Sequence, residues 1–309
     1  MINPYTYTIL NDGSNCILKE ETNLWFHYAI DFPSAQSAKY LGNSQVQGEY
    51  LLPKTNGKVP LAILVHGMGD RSVIPCKLIA RTLAKQGIAS FILYLIFHTI
   101  RVPQHIKEKY PRLTPDEWFE SYRVSVTDVR QVADWAVSRP EIDTDKISVA
   151  GISFGGFISS IAMALDPRLK SGIFIVSGGN SDKITKHSLL LRRQYKLEET
   201  EFQDAQERYA RYLNEVSKKG FENVEAVKNS YLTDPMTFAG YIRNRPLLML
   251  NALWDEMIPR TATLDLWKAY GEPPITWYPA THASIWLWYP LMGRKISNFL
   301  ESHLKRIGG

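Results

Sequence analysis

The chain has 309 residues and a formal net charge of +5, with 45% hydrophobic and 22% charged residues. This composition is typical of a soluble globular protein and gives no sign of disorder or low complexity. Lysine and arginine occur together only as pairs such as Arg192–Arg193 and Lys218–Lys219. Because a nucleic-acid-binding surface needs clustered positive charge, we expect no nucleic-acid partner.

Other features bear on the compartment and on cofactors. The two cysteines, Cys16 and Cys76, lie outside any C-x-x-C motif, and no Cys/His cluster has the spacing of metal ligands. The N-terminus lacks the basic and apolar regions of a secretory signal. The longest apolar stretch, residues 88–97, is too short to span a bilayer as a helix. We therefore expect a cytoplasmic protein with no stable membrane anchor, no metal and no other cofactor.

The N-terminal third predicts strands before and after one helix. Three strand-like pieces come first, and we expect them to form antiparallel edge strands: residues 5–10, 24–30 and 46–52. Residues 59–65 are continuously apolar, which predicts a strand buried on both faces of a sheet. A helix is predicted over residues 74–86 with Gly87 as its C-terminal stop. The next buried strand is predicted over residues 88–95.

A long helix is predicted to begin after Thr114. Thr114 is a candidate N-cap, Pro115 suits the first turn and Glu117 completes a capping box. Aromatic and aliphatic residues then recur at helical spacing as far as Pro140, which ends the helix. Such a stripe more often packs in a core than forms a binding site.

The rest of the chain alternates strand and helix patterns: strand 146–150, helix 154–165, strand 172–177, strand 246–251, helix 261–270, strand 274–278 and helix 285–304. This alternation predicts an α/β fold with a mostly parallel sheet flanked by helices. Residues 181–239 break the pattern, because they are charged, mostly helical and too long for a simple connection. We therefore predict a core domain of residues 1–180 and 240–309, with a helical cap insertion of residues 181–239.

A G-x-S-x-G motif, residues 151–155, lies between the predicted strand 146–150 and its helix. A serine at such a corner has a strained backbone, and its hydroxyl points out of the fold. Gly151, Gly155 and Gly156 leave the room that a closely approaching strand and helix require. The same string also marks ordinary loops, but the strand-to-helix context favours Ser153 as a nucleophile.

A serine hydroxyl needs a base within hydrogen-bond reach and a third group that orients the base. After Ser153, the sequence offers two adjacent acids, Asp255 and Glu256. They follow strand 246–251, and the carboxyl ends of strands face the ligand crevice in open α/β sheets. His282 comes next, in the loop between the last strand and the last helix. The chain order serine, acid, histidine is one of the known orders of a catalytic triad.

An acyl-transfer site also needs backbone N–H groups directed at the developing oxyanion. Phe154, directly after the serine, is predicted to supply one of them. The glycine-containing turn after strand 59–65 is predicted to supply the other from Met68. A plain glycine-rich turn is the alternative interpretation. A phosphate-binding loop is excluded because no Gly-Lys-Ser/Thr follows.

Over residues 45–305 the chain resembles the α/β-hydrolase superfamily, and within it the dienelactone hydrolase and prolyl-oligopeptidase-like esterase branch. Four motifs carry this resemblance: HGMGD at 66–70, GISFGG at 151–156, DEMIP at 255–259 and THA at 281–283. The resemblance implies an eight-stranded, mostly parallel sheet with a cap after the sixth strand. It also favours Asp255 over Glu256 as the acid, because relatives have D-x-x-[VI]-P at this point.

We therefore predict a serine hydrolase, a carboxylesterase that cleaves a small-molecule ester through an acyl-enzyme. The candidate residues of its substrate pocket are mostly aromatic: His66, Phe97, Trp254 and Trp286. A peptidase, amidase or thioesterase with the same triad remains open, as does a non-catalytic binding protein on a hydrolase scaffold. The aromatic run 285–289 leaves action at lipid surfaces as a further alternative. Assembly into a homo-oligomer is also left open.

Overall fold

The computed structural model describes residues 3–9, 13–36, 44–69, 73–102, 113–189, 192 and 198–305. In these residues, nine strands form one sheet: β1 (Asn15–Glu21), β2 (Trp25–Pro33), β3 (Gln45–Pro53), β4 (Val59–Val65), β5 (Ala89–Tyr94), β6 (Ile142–Ile152), β7 (Leu169–Ile175), β8 (Leu247–Ala252) and β9 (Ile275–Tyr278). Their order is β1-β2-β3-β5-β4-β6-β7-β8-β9. Neighbours from β5 to β9 are parallel, whereas β1, β2, β3 and β5 pair antiparallel. The predicted mostly parallel sheet is confirmed, with one strand more than expected.

The N-terminal edge differs from the prediction. A strand was predicted over residues 5–10, of which residue 10 lies outside the described residues. Residues 5–9 form no strand, because Tyr5 instead packs into the core and its hydroxyl donates to the Leu232 carbonyl oxygen at 2.6 Å. The edge strand is β1, which the sequence analysis missed. All seven of its residues are exposed, so it lacks the alternation that marks a half-buried strand.

The helices with α-helical geometry in the described residues are α1 (Val73–Ala84), α2 (Pro115–Val137), α3 (Phe154–Leu165), α4 (Ser181–His187), α5 (Glu199–Lys219), α6 (Asn229–Leu232), α7 (Pro235–Ile242), α8 (Arg260–Ala269) and α9 (Tyr289–Leu300). The capping box at the start of α2 is confirmed: Glu117 N–H donates to Thr114 Oγ1, and Thr114 N–H donates to the Glu117 carboxylate. The predicted last helix is divided into a 3₁₀ turn (Ser284–Trp288), α9 and a final π-helical turn.

The core lies on both faces of the sheet. Along β4, Leu61 and Ile63 point toward the cluster that contains residues of α2, α3 and α8, whereas Ala62 and Leu64 point toward α1 and α9. Alternate residues of a strand face opposite sides, so a strand with helices on both sides has to be apolar throughout. None of the helices in the described ranges has the length and apolarity needed for a membrane span.

The segment predicted as a cap, residues 181–239, contains α4 to α6 and the first part of α7. Its apolar face, which includes Tyr209 and Tyr212, packs onto the same core cluster as α2 and α3. The buried Asp234 carboxylate accepts N–H groups from Asn180 and Ser181, at the start of the segment, and from Met236. One carboxylate therefore joins the two ends of the segment to each other. That these residues form a separate cap remains a prediction.

Candidate active site

The candidate nucleophile lies at a strained corner between β6 and α3. Ser153 has φ 53° and ψ −118°, a conformation that non-glycine residues rarely adopt. The Ser153 N–H donates to the Ile175 carbonyl oxygen at 2.8 Å, which fixes the corner against β7. A Cβ atom on Gly155 would lie 2.5 Å from the His66 carbonyl oxygen and still closer to that of Val65. The motif glycines therefore leave the room that the sequence analysis expected.

The fold brings three distant side chains into one hydrogen-bonded row. His282 Nε2 lies 2.9 Å from Ser153 Oγ, although the two residues are 129 positions apart. His282 Nδ1 lies 2.8 and 2.9 Å from the two carboxylate oxygens of Asp255. Because Nδ1 faces a carboxylate, it carries the ring proton and donates to Asp255. Nε2 is then free to accept the Ser153 hydroxyl proton.

The two adjacent acids have different partners. Asp255 Oδ1 accepts the N–H groups of Met257 and Ile258 at 2.9 and 2.8 Å, in addition to the imidazole. Glu256 Oε2 instead accepts the backbone N–H of His282 at 2.9 Å. Asp255 therefore orients the ring, while Glu256 holds the loop that carries it. The sequence analysis treated Glu256 only as a competitor of Asp255, and its contact with the histidine loop was missed.

The histidine loop is also closed by its own side chains. Thr281 N–H donates to Ser284 Oγ at 2.9 Å, and Ser284 N–H donates to Thr281 Oγ1 at 3.3 Å. Upstream, the Trp254 N–H donates to the Ala280 carbonyl oxygen at 3.0 Å. These bonds join the acid-bearing and histidine-bearing turns, so the imidazole is held from both ends of its loop.

Of the two residues predicted to supply N–H groups to the oxyanion, Phe154 directly follows the serine in the chain and Met68 lines the same cavity. Phe154 is the first residue of α3, where N–H groups lack acceptors within the helix and the helix dipole favours negative charge. A Cβ atom on Gly67 would lie 3.3 Å from Ser153 Cβ, so the turn before Met68 is packed directly against the corner. Within the described part of the chain, neither the Phe154 nor the Met68 N–H has a hydrogen-bond acceptor.

His66 was predicted to contact substrate, but the structure places it inside the protein. Its side chain is buried; Nδ1 lies 2.6 Å from the Gly67 carbonyl oxygen, and Nε2 accepts the Leu95 N–H at 3.1 Å. Burial and the neighbouring His98 lower the pKa of His66 to about 3. The imidazole is therefore neutral, with its proton on Nδ1, and holds the turn that contains Gly67.

An open cavity of about 440 Å³ contains the serine and the imidazole. It is lined by Gly67, Met68, Pro75, Ile152, Ser153, Val176, Glu256, Met257, His282, Ala283 and Trp286. Of the four predicted pocket residues, only Trp286 lines it. Phe97 is buried against Ile96 and Val124, and His66 is buried as well, so neither lines this cavity. Trp254 is 64% exposed, and its contact with substrate remains a prediction. No described residue of the segment 181–239 lines this cavity.

Among the residues that the structure describes, no group of three or more His, Cys, Asp or Glu side chains is arranged to hold a metal ion. The titratable residues that line the cavity are Glu256 and His282. The arrangement can deprotonate a serine hydroxyl and stabilise negative charge beside it, which is the chemistry of acyl transfer.

The family model for "Alpha/beta hydrolase domain containing 18" matches residues 41–289. The chain belongs to this family. The α/β-hydrolase resemblance predicted from the motifs is thereby confirmed. Among curated proteins, Mycobacterium tuberculosis Rv2627c, an uncharacterized protein, is 20% identical over 185 residues. That match covers 60% of this chain and only 38% of the relative, so the chain spans well under half the length of the relative.

Several solved structures share the fold. A zinc-bound cold-adapted esterase from an Arctic intertidal metagenomic library has a TM-score of 0.59 at 13% identity, covering 94% of this chain and 99% of the other. Acetyl xylan esterase 1 from Thermoanaerobacterium sp. has a TM-score of 0.62 at 18% identity, covering 94% and 89%. Hypothetical protein PA2218 from Pseudomonas aeruginosa has a TM-score of 0.60 at 16% identity, covering 94% and 99%. At these identities, the likeness concerns the fold.

Proposed function

We propose that this α/β hydrolase is a carboxylesterase that works through an acyl-enzyme on Ser153. The observation that carries the proposal is the hydrogen-bonded row from Ser153 Oγ through His282 to Asp255. A hydroxyl 2.9 Å from an unprotonated imidazole nitrogen has a base in reach, and a carboxylate on the opposite nitrogen stabilises the imidazolium that forms.

In the proposed reaction, Ser153 Oγ attacks the ester carbonyl carbon while His282 Nε2 takes the hydroxyl proton. The tetrahedral intermediate collapses, the C–O bond to the alcohol breaks, and His282 returns the proton to the departing oxygen. Water then enters, loses a proton to His282 and attacks the acyl-serine. The acid is released and Ser153 regains its proton. Asp255 keeps the imidazole in one tautomer and stabilises the imidazolium that forms.

The negative charge of both tetrahedral intermediates falls on the former carbonyl oxygen. We assign its stabilisation to the N–H groups of Phe154 and Met68. Support comes from the position of Phe154 at the N-terminus of α3 and from the packing of the Gly67 turn against Ser153. His66 contributes indirectly, because its hydrogen bonds to Gly67 and Leu95 hold this turn. In other hydrolases, removal of one such donor lowers kcat by about 10²–10³-fold.

The cavity supports a small, largely apolar ester. Its volume of about 440 Å³ is within the range of small-molecule sites, and Pro75, Met257 and Trp286 contribute apolar walls. Glu256 places a carboxylate in the same wall. Because like charges repel across a partly desolvated site, we expect neutral esters to be better substrates than anionic ones.

Amides and thioesters can be hydrolysed by the same three side chains, Ser153, His282 and Asp255. A non-catalytic ligand-binding role is the remaining alternative. Esters are favoured because two of the solved structures that share the fold carry the name esterase. The match covers only 38% of the curated relative. The ester substrate is therefore part of this proposal and is not taken from that relative.

The test is steady-state hydrolysis of p-nitrophenyl esters of increasing acyl length by the wild type and by Ser153→Ala. Ser138→Ala, which changes an exposed serine at the end of α2, is the matched control. We expect turnover by the wild type and the control, and a loss of about 10⁴-fold or more in Ser153→Ala. Turnover of amides or thioesters in place of esters would favour the alternative substrates. Equal turnover by Ser153→Ala would refute the proposal.

A further inference from the structure

An exposed apolar face lies beside the cavity. It consists of Ile74 and Leu78 on α1 and of Leu287 and Leu291, which lie four residues apart across the start of α9. Their exposed fractions are 52%, 37%, 82% and 47%. Single exposed apolar residues are ordinary on protein surfaces, but a group of them in one place marks an interaction site. We call these four residues the α1–α9 face.

The two halves of this face are in contact with each other and with the cavity. The Tyr289 hydroxyl donates to the Leu78 carbonyl oxygen at 2.7 Å, which joins the start of α9 to the middle of α1. Pro75 and Trp286, the chain neighbours of Ile74 and Leu287, both line the cavity. The α1–α9 face therefore continues into the cavity wall, and a surface that covers this face lies next to the cavity.

The charged side chains of the two segments that carry the face are all positive, whereas the adjoining cavity wall contains an acid, Glu256. Residues 73–84 and 283–300 contain no Asp or Glu, whereas they contain Lys77, Arg81, Arg294 and Lys295. Lys77 is paired with Glu49. Arg294 and Lys295 are exposed and have no acidic partner among the residues that the structure describes. An apolar group flanked by cations matches the interface of an anionic lipid bilayer, where acyl chains lie beneath negative headgroups.

We propose that the α1–α9 face docks this protein onto the surface of an anionic phospholipid bilayer, with the cavity beside the lipid. Docking is peripheral: Leu287 and its neighbours enter the headgroup boundary, and Arg294 and Lys295 contact the phosphates. No step of ester hydrolysis requires this face, so docking is a further property of the protein. It gives the cavity access to substrates that dissolve in lipid.

The test is co-sedimentation with vesicles of phosphatidylcholine, with and without phosphatidylglycerol. We expect the wild type to bind the anionic vesicles, and to bind them less as salt is raised. Leu287→Ser is expected to weaken this binding about tenfold, because it removes one apolar side chain from the interface. Arg294→Gln/Lys295→Gln is expected to weaken it about fivefold per charge, and only on anionic vesicles.

Matched controls change similar residues on the helical segment away from this face. Val227→Ser replaces an apolar side chain that is 75% exposed, and Arg211→Gln/Lys218→Gln removes two exposed cations from α5. Thermal unfolding and the hydrolysis of a water-soluble ester are expected to be unchanged in every variant, so a docking defect is distinguishable from a loss of fold or activity.

Three results would overturn the proposal. The first is a wild type that binds neither kind of vesicle. The second is equal binding by Leu287→Ser and the wild type. The third is a dimer in solution that Leu287→Ser dissociates, since a second copy of the chain would then be the occupant of the face.

Discussion

Glu256 Oε2 accepts the backbone N–H of His282 at 2.9 Å, while the ring of the same histidine is bound by the preceding residue, Asp255. Two neighbouring carboxylates thus divide the support of one histidine between its ring and its backbone. The Glu256 carbonyl oxygen also accepts the Leu189 N–H at 3.0 Å and the Ser188 hydroxyl at 3.1 Å. The turn that supports His282 is therefore itself held by the residues that follow α4.

Replacement of Glu256 tests this support. Glu256→Ala removes the acceptor of the His282 N–H, and we expect kcat on a p-nitrophenyl ester to fall about tenfold, because a small misplacement of the base slows proton transfer. Glu256→Gln keeps an acceptor oxygen and is expected to retain most of the wild-type kcat. The outcome against this role is an equal loss in both variants, which would point to the charge of Glu256 instead.

Asp255 is predicted to matter far more than its neighbour. Asp255→Asn keeps the size of the side chain, but its amide NH₂ group faces Nδ1 and favours the wrong imidazole tautomer. We expect kcat to fall by about 10⁴-fold, as in other serine hydrolases. The measurement is ester hydrolysis beside Glu256→Gln as the isosteric control. A smaller loss in Asp255→Asn than in Glu256→Gln would reverse the assignment of the acid.

The corner at Ser153 is predicted to tolerate no added methyl group at Gly155. Gly155→Ala places a Cβ atom against the Val65 and His66 carbonyl oxygens, and we expect it to lower the free energy of unfolding by about 3 kcal/mol. The control is Gly240→Ala on α7, where a Cβ atom would meet nothing within 4 Å. Because alanine is the better helix former, this control is expected to gain about 0.5–1 kcal/mol. Urea unfolding measures both, and equal stabilities would contradict the packing at the corner.

The buried His66 predicts a specific loss of stability in acid. Its pKa in the folded protein is lowered by burial to about 3, whereas histidine in an unfolded chain titrates near about 6.5. Between these values the unfolded state binds one more proton, so the free energy of unfolding falls as pH falls, by up to about 1.4 kcal/mol per pH unit.

This slope can be measured by urea unfolding at a series of pH values from about 6.5 downwards. The wild type is expected to show this slope in full. In His66→Gln, the slope of the free energy of unfolding against pH is expected to be smaller by the contribution of one proton. Equal slopes in His66→Gln and the wild type would show that His66 does not remain neutral in the folded protein.

Features with a local physical cause could be predicted from the sequence. The buried strand β4, the capping box of α2 and the glycines around Ser153 each depend on neighbouring residues. Chain order alone left Asp255 and Glu256 as candidate acids, and the resemblance to α/β hydrolases favoured Asp255, which the fold brings together with Ser153 and His282.

Features that depend on loop conformation or on distant contacts could not be predicted. Phe97 follows β5 closely, as a crevice residue would, but its positive φ of 62° accompanies burial in the core. His66 ends β4 at the crevice, yet its ring turns inward to Leu95. The contact of Glu256 with His282 joins two loops, and nothing in either loop alone indicates it.

The proposed function requires the hydroxyl of Ser153 to be the nucleophile that His282 activates. It is tested most directly by treating the protein with a fluorophosphonate probe and locating the adduct by peptide mass spectrometry. We expect one adduct, on Ser153, in the wild type, and none in Ser153→Ala or His282→Ala. An unlabelled Ser153 in folded wild-type protein, or an adduct on a different residue, would contradict it.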